Sequence, residues 1–165
     1  MKPFKEIKKW FENQENLFYL FLIILIVPNV VLCFTEPMPI VAKVCNVLLP
    51  FSIYYIVMSW SRNCGRTFWI LFPFLFFGAF QIVLLYLFGQ SIIAVDMFLN
   101  LVTTNSSEAL ELLDNLIPAI VIVVLLYIPA LAVATVSVIK KRELPELFIH
   151  RERKRARLAM IAGVL

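Results

Sequence analysis

Long apolar runs without a charged side chain constrain this chain more than any other feature. Residues 17–35, 44–61, 67–95 and 115–139 contain no Asp, Glu, Lys or Arg, and a helix needs about 20 apolar residues to cross the hydrocarbon core of a membrane. Hydrophobic residues make up 62% of the chain and charged residues 16%, whereas soluble domains have about 45–50% and about 25%. The sequence therefore predicts an all-α integral membrane protein.

These runs divide into four complete transmembrane helices and the beginning of a fifth. We place the complete spans at residues 17–35, 44–61, 67–89 and 115–139. The apolar residues 158–165 are too few to cross a hydrocarbon core that takes about 20 residues, and we expect them to form the first turns of the fifth span. The whole chain is then a single membrane domain.

The N-terminal residues 2–16 have the pattern of an amphipathic interfacial helix. Phe4, Ile7, Trp10 and Phe11 recur at three- and four-residue spacing, and the lysines lie largely on the other side. The segment does not resemble a cleavable signal, because the apolar run that follows it is long enough to span. We interpret it as an anchor for the first span, with recognition of a lipid headgroup as the alternative.

The distribution of basic residues predicts the orientation of the spans. Residues 1–16, 61–66 and 140–157 hold every Lys and Arg except Lys43, and cytoplasmic segments carry the excess of these residues. The N-terminus is therefore predicted to be cytoplasmic, with residues 140–157 as a cytoplasmic loop. The net charge of +4 does not indicate a nucleic-acid partner, because the basic residues flank apolar runs and do not form a groove for phosphates.

An acidic insert, residues 90–114, separates the third and fourth predicted spans. Its part from Asp96 to Asp114 carries four acidic residues and neither Lys nor Arg, and the predicted orientation makes it extracytoplasmic. Asn105 as an N-cap would put Glu108 at the third helical position, and this variant of the capping box is a sufficient structural reason for both residues. The functional alternative is that the carboxylates attract the ammonium group of phosphatidylethanolamine.

The pattern Met97-x-x-Asn100-x-x-x-Thr104-x-x-x-Glu108, running into Leu112-Leu113, resembles the periplasmic segment of the phosphoethanolamine transferases. This family includes the enzymes that modify lipid A and the mobile colistin resistance proteins, which confer polymyxin resistance. The order of spans, insert, basic loop and outgoing fifth span is also similar. The resemblance implies a bacterial inner-membrane protein in which Asn100, Thr104 and Glu108 bind the donor lipid phosphatidylethanolamine. The three residues are spaced by four and would share a face on one continuous helix.

The resemblance also implies a second, periplasmic domain of the same polypeptide, with a zinc site and a threonine nucleophile. That domain would transfer phosphoethanolamine to lipid A or another glycolipid of the cell envelope. The 165 residues themselves offer His150 as the only histidine, on the cytoplasmic side, and no ligand spacing that closes a zinc site. Thr103 and Thr104 lack an activating base or metal. We therefore expect no catalytic residue, metal or cofactor in this segment.

A protein of another class remains open on the residues alone. The chain would then be a stand-alone small polytopic membrane protein, such as a transporter subunit or an assembly factor. Transporters usually place charged residues within their spans, and the four predicted spans contain no Asp, Glu, Lys or Arg. Cys33 and Cys45 lie near one membrane face and leave pairing open, although two buried thiols are the simpler interpretation.

Overall fold

The computed structural model describes Glu6, residues 9–88 and residues 106–164, with side chains described mainly over residues 9–80 and 120–163. Every regular element in these ranges is a helix. The helices are α1 (Gln14–Thr35), α2 (Ile40–Met58), α3 (Cys64–Ile70), α4 (Phe72–Phe88), α5 (Ser106–Ile139) and α6 (Glu146–Val164). Residues 9–12 are also helical and lead into α1.

Three segments are long and apolar enough to cross a membrane: α1, α2 and Ile120–Ile139 of α5. The chain is thus all-helical within the described ranges, with three candidate membrane spans, as the apolar runs predict in coarse form. Most of the interhelical contacts of the bundle are made by α1 with its neighbours, by α2 with α6, and by α3 and α4 with α5.

The first and second helices begin earlier than the predicted spans, which started at residues 17 and 44. The side chain of Asn13 accepts a hydrogen bond from the Glu15 amide at 2.9 Å and so caps α1. The second helix begins directly after Pro39, where a proline suits a helix start because its missing N–H would have no partner. Lys43 consequently lies in the first turn of α2 and not in a loop.

The predicted third span, residues 67–89, is not one helix in the structure. Its residues divide between α3 and α4, with Leu71 between them. Pro73 is the physical reason, because it has no N–H to donate to the Trp69 carbonyl and its ring crowds the preceding turn. The Leu71 carbonyl accepts a hydrogen bond from the Phe74 amide at 3.0 Å at the start of α4. A short helix therefore precedes the longer apolar one.

The fourth predicted span and part of the acidic insert form a single helix. The span was predicted at residues 115–139, but α5 begins at Ser106 and has 34 residues. A helix of this length rises about 50 Å, which exceeds the roughly 30 Å of a hydrocarbon core. Asn105, the predicted N-cap, lies outside the described residues, and Glu108 lies in the first described turn of α5.

The predicted cytoplasmic loop, residues 140–157, is mostly helical. Only residues 140–145 connect α5 to α6, and Lys141 adopts a positive φ of 49° in this turn. The Arg142 amide bonds the Ser137 carbonyl at 3.1 Å, which closes the end of α5 in the manner of a Schellman motif. A loop was predicted because this segment contains many charged residues. It nevertheless has a narrow apolar helix face, which packs against α1 and α2.

Aromatic side chains fill the core around α1. Phe18 and Phe21 are fully buried, and Phe21 stacks on Phe68 of α3 with ring centroids 4.3 Å apart. Phe18 meets Phe148 of α6 edge to face at 5.4 Å. The C-terminal helix is therefore part of the same core as the first span.

The second and sixth helices pack antiparallel. The Ser52 hydroxyl of α2 donates to the Ala159 carbonyl of α6 at 2.9 Å, and Gly163 lies against Leu48 one turn further along. Because the two helices run in opposite directions, α6 leads away from the end of the bundle at which α2 finishes.

Candidate functional site

Most of the residues predicted to bind the donor lipid lie outside the residues that the structure describes. Asn100 and Thr104 lie outside the described residues, and Glu108 is described as a backbone position in the first turn of α5. Their prediction as a lipid-binding set therefore stays a prediction. The described part of the chain contains three other polar sites, which the bundle buries between helices.

Among the charged side chains that the structure describes, Glu152 is the most buried, and it lies in the middle of the basic stretch of α6. Its side chain has no exposed surface, and the Tyr55 hydroxyl of α2 donates to its Oε2. Arg151 Nε and Arg155 Nη1 each donate to Oε1 at 2.9 Å. We refer to Tyr55, Arg151, Glu152 and Arg155 as the Glu152 cluster.

The Glu152 cluster keeps its carboxylate ionised. Burial alone would raise the pKa of Glu152, but the hydrogen bonds from Tyr55 and Arg151 oppose it, with smaller effects of Tyr19 and Arg155, and the pKa is lowered. The same pairing raises the pKa of the Arg151 guanidinium. A carboxylate that is fully buried and held by three donors is not accessible to a substrate, so the cluster joins α6 to α2 and does not act as a base.

We predict a pH dependence of stability from this lowered pKa. A group with a depressed folded pKa stabilises the fold above its unfolded value, here 4.5, and loses that contribution as the pH falls through the folded value. The difference in unfolding free energy between the wild type and Glu152→Gln should therefore be constant near neutral pH and shrink below about pH 4.5. Denaturant unfolding in detergent micelles at several pH values measures it, and a difference that does not shrink in acid contradicts the assignment.

A second buried polar site joins α1, α3 and α5. The Ser137 hydroxyl donates to Gln14 Oε1 at 2.7 Å, and the Cys64 thiol does so at 3.4 Å. Gln14 Nε2 is buried and has no hydrogen-bond partner among the described residues. Burial raises the pKa of the Cys64 thiol to about 11, so this cysteine is protonated at neutral pH and unreactive.

A third polar site joins α1 and α2 near their other ends. Asn46 Nδ2 donates to the Asn29 carbonyl at 2.9 Å, and Asn29 Nδ2 donates to Asn46 Oδ1 at 3.3 Å. The Cys33 thiol donates to the Lys43 carbonyl at 3.4 Å. Cys33 and Cys45 are both free, and the asparagine pair gives Asn29 a structural role between the two helices.

Ion pairs gather three basic segments of the sequence at one end of the bundle. Arg62 bonds Glu146 at 2.8 Å and Glu143 at 3.3 Å, and Arg142 lies 3.7 Å from Glu12. These segments include the residues just before α1, the turn before α3 and the connection between α5 and α6. We call this end of the molecule the basic end.

Sequence reasoning missed Glu152 because it was counted as one more acid of a cytoplasmic loop. The available signal was its helical spacing from apolar residues: Phe148 lies four positions before it and Ala156 four positions after it, and both are buried. An acid on the apolar stripe of an otherwise basic helix indicates a buried ion pair.

Within the part of the chain that the structure describes, no group of three or more His, Cys, Asp or Glu side chains is placed to hold a metal ion. His150 is exposed on α6 at the basic end.

The chain matches no known protein family, and neither a curated protein nor a solved structure matches it.

Proposed function

We propose that this chain is the membrane-anchoring and donor-lipid binding domain of a phosphoethanolamine transferase that modifies lipid A or another envelope glycolipid. The proposal includes four spans and an outgoing fifth helix in the inner membrane of a bacterium, with a cytoplasmic N-terminus. Phosphatidylethanolamine is the proposed lipid partner, and a periplasmic zinc domain of the same polypeptide is the proposed catalytic partner.

The separation of charge along the bundle is the observation that carries this proposal. Basic residues in ion pairs lie at one end of the bundle, where Arg62 pairs with Glu143 and Arg142 pairs with Glu12. The acids Glu108, Glu111 and Asp114 belong to the first turns of α5 and precede its uncharged stretch, residues 115–139. A helix rising about 50 Å puts its first turns far from its basic-end terminus. An acidic, extracytoplasmic surface attracts the ammonium group of phosphatidylethanolamine.

The direction of α6 also supports the proposal. This helix begins at the basic end with Glu146 and runs antiparallel to α2 toward the end where α5 begins. That is the direction in which a fifth span would lead to a catalytic domain on the acidic side. The described side chains do not fit a zinc site, so the zinc chemistry of the family would belong entirely to the other domain.

The test measures lipid binding by Glu108→Gln and Asn100→Ala variants of this chain. We expect the wild type to bind phosphatidylethanolamine in preference to phosphatidylcholine, whose trimethylammonium group has no N–H donor. Each substitution should weaken phosphatidylethanolamine binding about tenfold, because a charge-assisted or amide hydrogen bond to the headgroup is lost. Retention of each lipid by the full chain in detergent micelles is read by native mass spectrometry.

The matched control is Glu36→Gln, which removes an acid at the C-terminal end of α1, outside the insert. It should leave phosphatidylethanolamine binding within about twofold of the wild type, because exposed charges interact weakly. In the full-length enzyme, Glu108→Ala should lower transfer more than it lowers the yield of folded protein. Unchanged binding and transfer would return Glu108 to helix capping and favour the stand-alone membrane protein.

A further inference from the structure

A cavity at the junction of α2 and α6 combines two arginines with an exposed tryptophan. Its volume is about 280 Å³, and it is lined by Ile56, Ser59, Trp60, Arg153 and Arg157. Trp60 is 77% exposed although it is a large apolar side chain. The cavity lies at the basic end, and the proposed function gives it no role.

The guanidinium of Arg153 is held in place by the end of α2. Its Nη2 donates to the Ser59 carbonyl at 3.3 Å and to the Trp60 carbonyl at 3.5 Å. A guanidinium has five N–H donors, so these bonds orient the group and leave donors for another acceptor. Arg157 follows four residues later on α6, which puts it on the same helix face.

The acids nearest to these arginines are already paired. Glu152 accepts from two other arginines of α6, and Glu146 is bound by Arg62 at 2.8 Å. None of the ion pairs formed by the described residues includes Arg153 or Arg157. The cavity therefore carries positive charge that its own surroundings do not neutralise.

We propose that this cavity binds the phosphate of an anionic phospholipid in the leaflet at the basic end. Trp60 follows the candidate span α2 by two residues, at the level where tryptophan favours the headgroup region. Ile56, in the last turn of α2, gives the cavity lining an apolar part, and Arg153 and Arg157 give it a positively charged part.

A phospholipid matches this lining, because its apolar glycerol and acyl region adjoins an anionic phosphate. Basic cavities between membrane helices on the cytoplasmic side bind anionic headgroups for this reason. A soluble anion would use the arginines but not the tryptophan and the isoleucine. The inference does not rest on the proposed donor-lipid site, which belongs to the opposite end and favours a zwitterionic lipid.

The test compares phosphatidylglycerol with phosphatidylcholine of the same acyl chains as ligands of the full chain in detergent micelles. Native mass spectrometry should find stronger retention of phosphatidylglycerol by the wild type. Arg157→Gln should weaken that retention about tenfold, because a charge-assisted hydrogen bond to phosphate is lost. Arg153→Gln should weaken it at least as much, but this variant also releases the end of α2, so Arg157→Gln is the deciding one.

Lys154→Gln is the matched control, since Lys154 is exposed on the same helix and lies outside the cavity lining. It should reduce phosphatidylglycerol retention by no more than about threefold, because only diffuse attraction to the headgroup is lost. An equal loss in Lys154→Gln and Arg157→Gln would mean diffuse attraction and would overturn the proposal. The proposal would also be overturned if inorganic phosphate bound as tightly as phosphatidylglycerol, or if phosphatidylglycerol and phosphatidylcholine were retained equally.

Discussion

Glu152→Ala is expected to destabilise the protein by about 2–3 kcal/mol, because it leaves the buried Tyr55 hydroxyl without an acceptor and removes the anchor between α2 and α6. The two arginines of the Glu152 cluster are 55% and 56% exposed, so water can solvate them after the substitution. The cost should therefore stay below that of leaving a fully buried charge unpaired, which reaches about 3–5 kcal/mol. Unfolding of the purified protein in detergent micelles measures the change.

The control for this substitution is Glu143→Ala at the same end of the bundle. Glu143 pairs with Arg62 at 3.3 Å, but its side chain is 58% exposed, and exposed pairs contribute about 0–1 kcal/mol. Glu152→Gln should lie between the two, because an amide oxygen can still accept from Tyr55. Equal stability of Glu152→Ala and Glu143→Ala would show that the cluster does not hold α6 in place.

Gly65→Ala is expected to destabilise the contact between α3 and α5 by about 1–3 kcal/mol, the usual cost of overpacking. A Cβ at this position would lie 2.5 Å from the Ala134 carbonyl oxygen and 3.0 Å from Ser137 Cβ. The first neighbour is a backbone atom of a helix and cannot move without separating the two helices. Small residues permit this close approach of membrane helices, and unfolding in detergent reports its loss.

Gly163→Ala is the matched comparison, because both glycines lie near a helix end and gain helix propensity, at most about 1 kcal/mol, on changing to alanine. Its added Cβ would lie 3.1 Å from the Ser52 hydroxyl oxygen and 3.4 Å from the Leu48 carbonyl, distances that small shifts can relieve. Gly163→Ala should be close to neutral. A stabilised Gly65→Ala protein would contradict the close approach of α3 to α5.

Patterns that depend on residues close in the chain were predicted well. The apolar runs predicted membrane helices because hydropathy acts on each segment independently of its neighbours. The N-cap expected at Asn105 lies outside the described residues and stays a prediction. The proposed donor-lipid residues, led by Asn100 and Glu108, remain predictions from the sequence pattern.

Helix breaks and continuations were predicted less well. The effect of Pro73 was underestimated, and it divides one predicted span into α3 and α4. The junction between insert and fourth span was taken from a change in polarity, but a helix continues through polar residues when its backbone hydrogen bonds are satisfied. A change in polarity along the sequence therefore does not mark the end of a helix.

The sequence by itself determined that this chain forms apolar helices and that its basic residues flank them, because both properties reside in short segments. Only the tertiary structure decided that the basic residues from Arg151 to Arg157 lie on a helix packed on α2, and that Glu152 lies buried at its centre. The physical reason is that burial of a charge depends on partners distant in the chain, here Tyr55. Likewise, Trp60 and Arg153 line the same cavity only because α2 and α6 pack against each other.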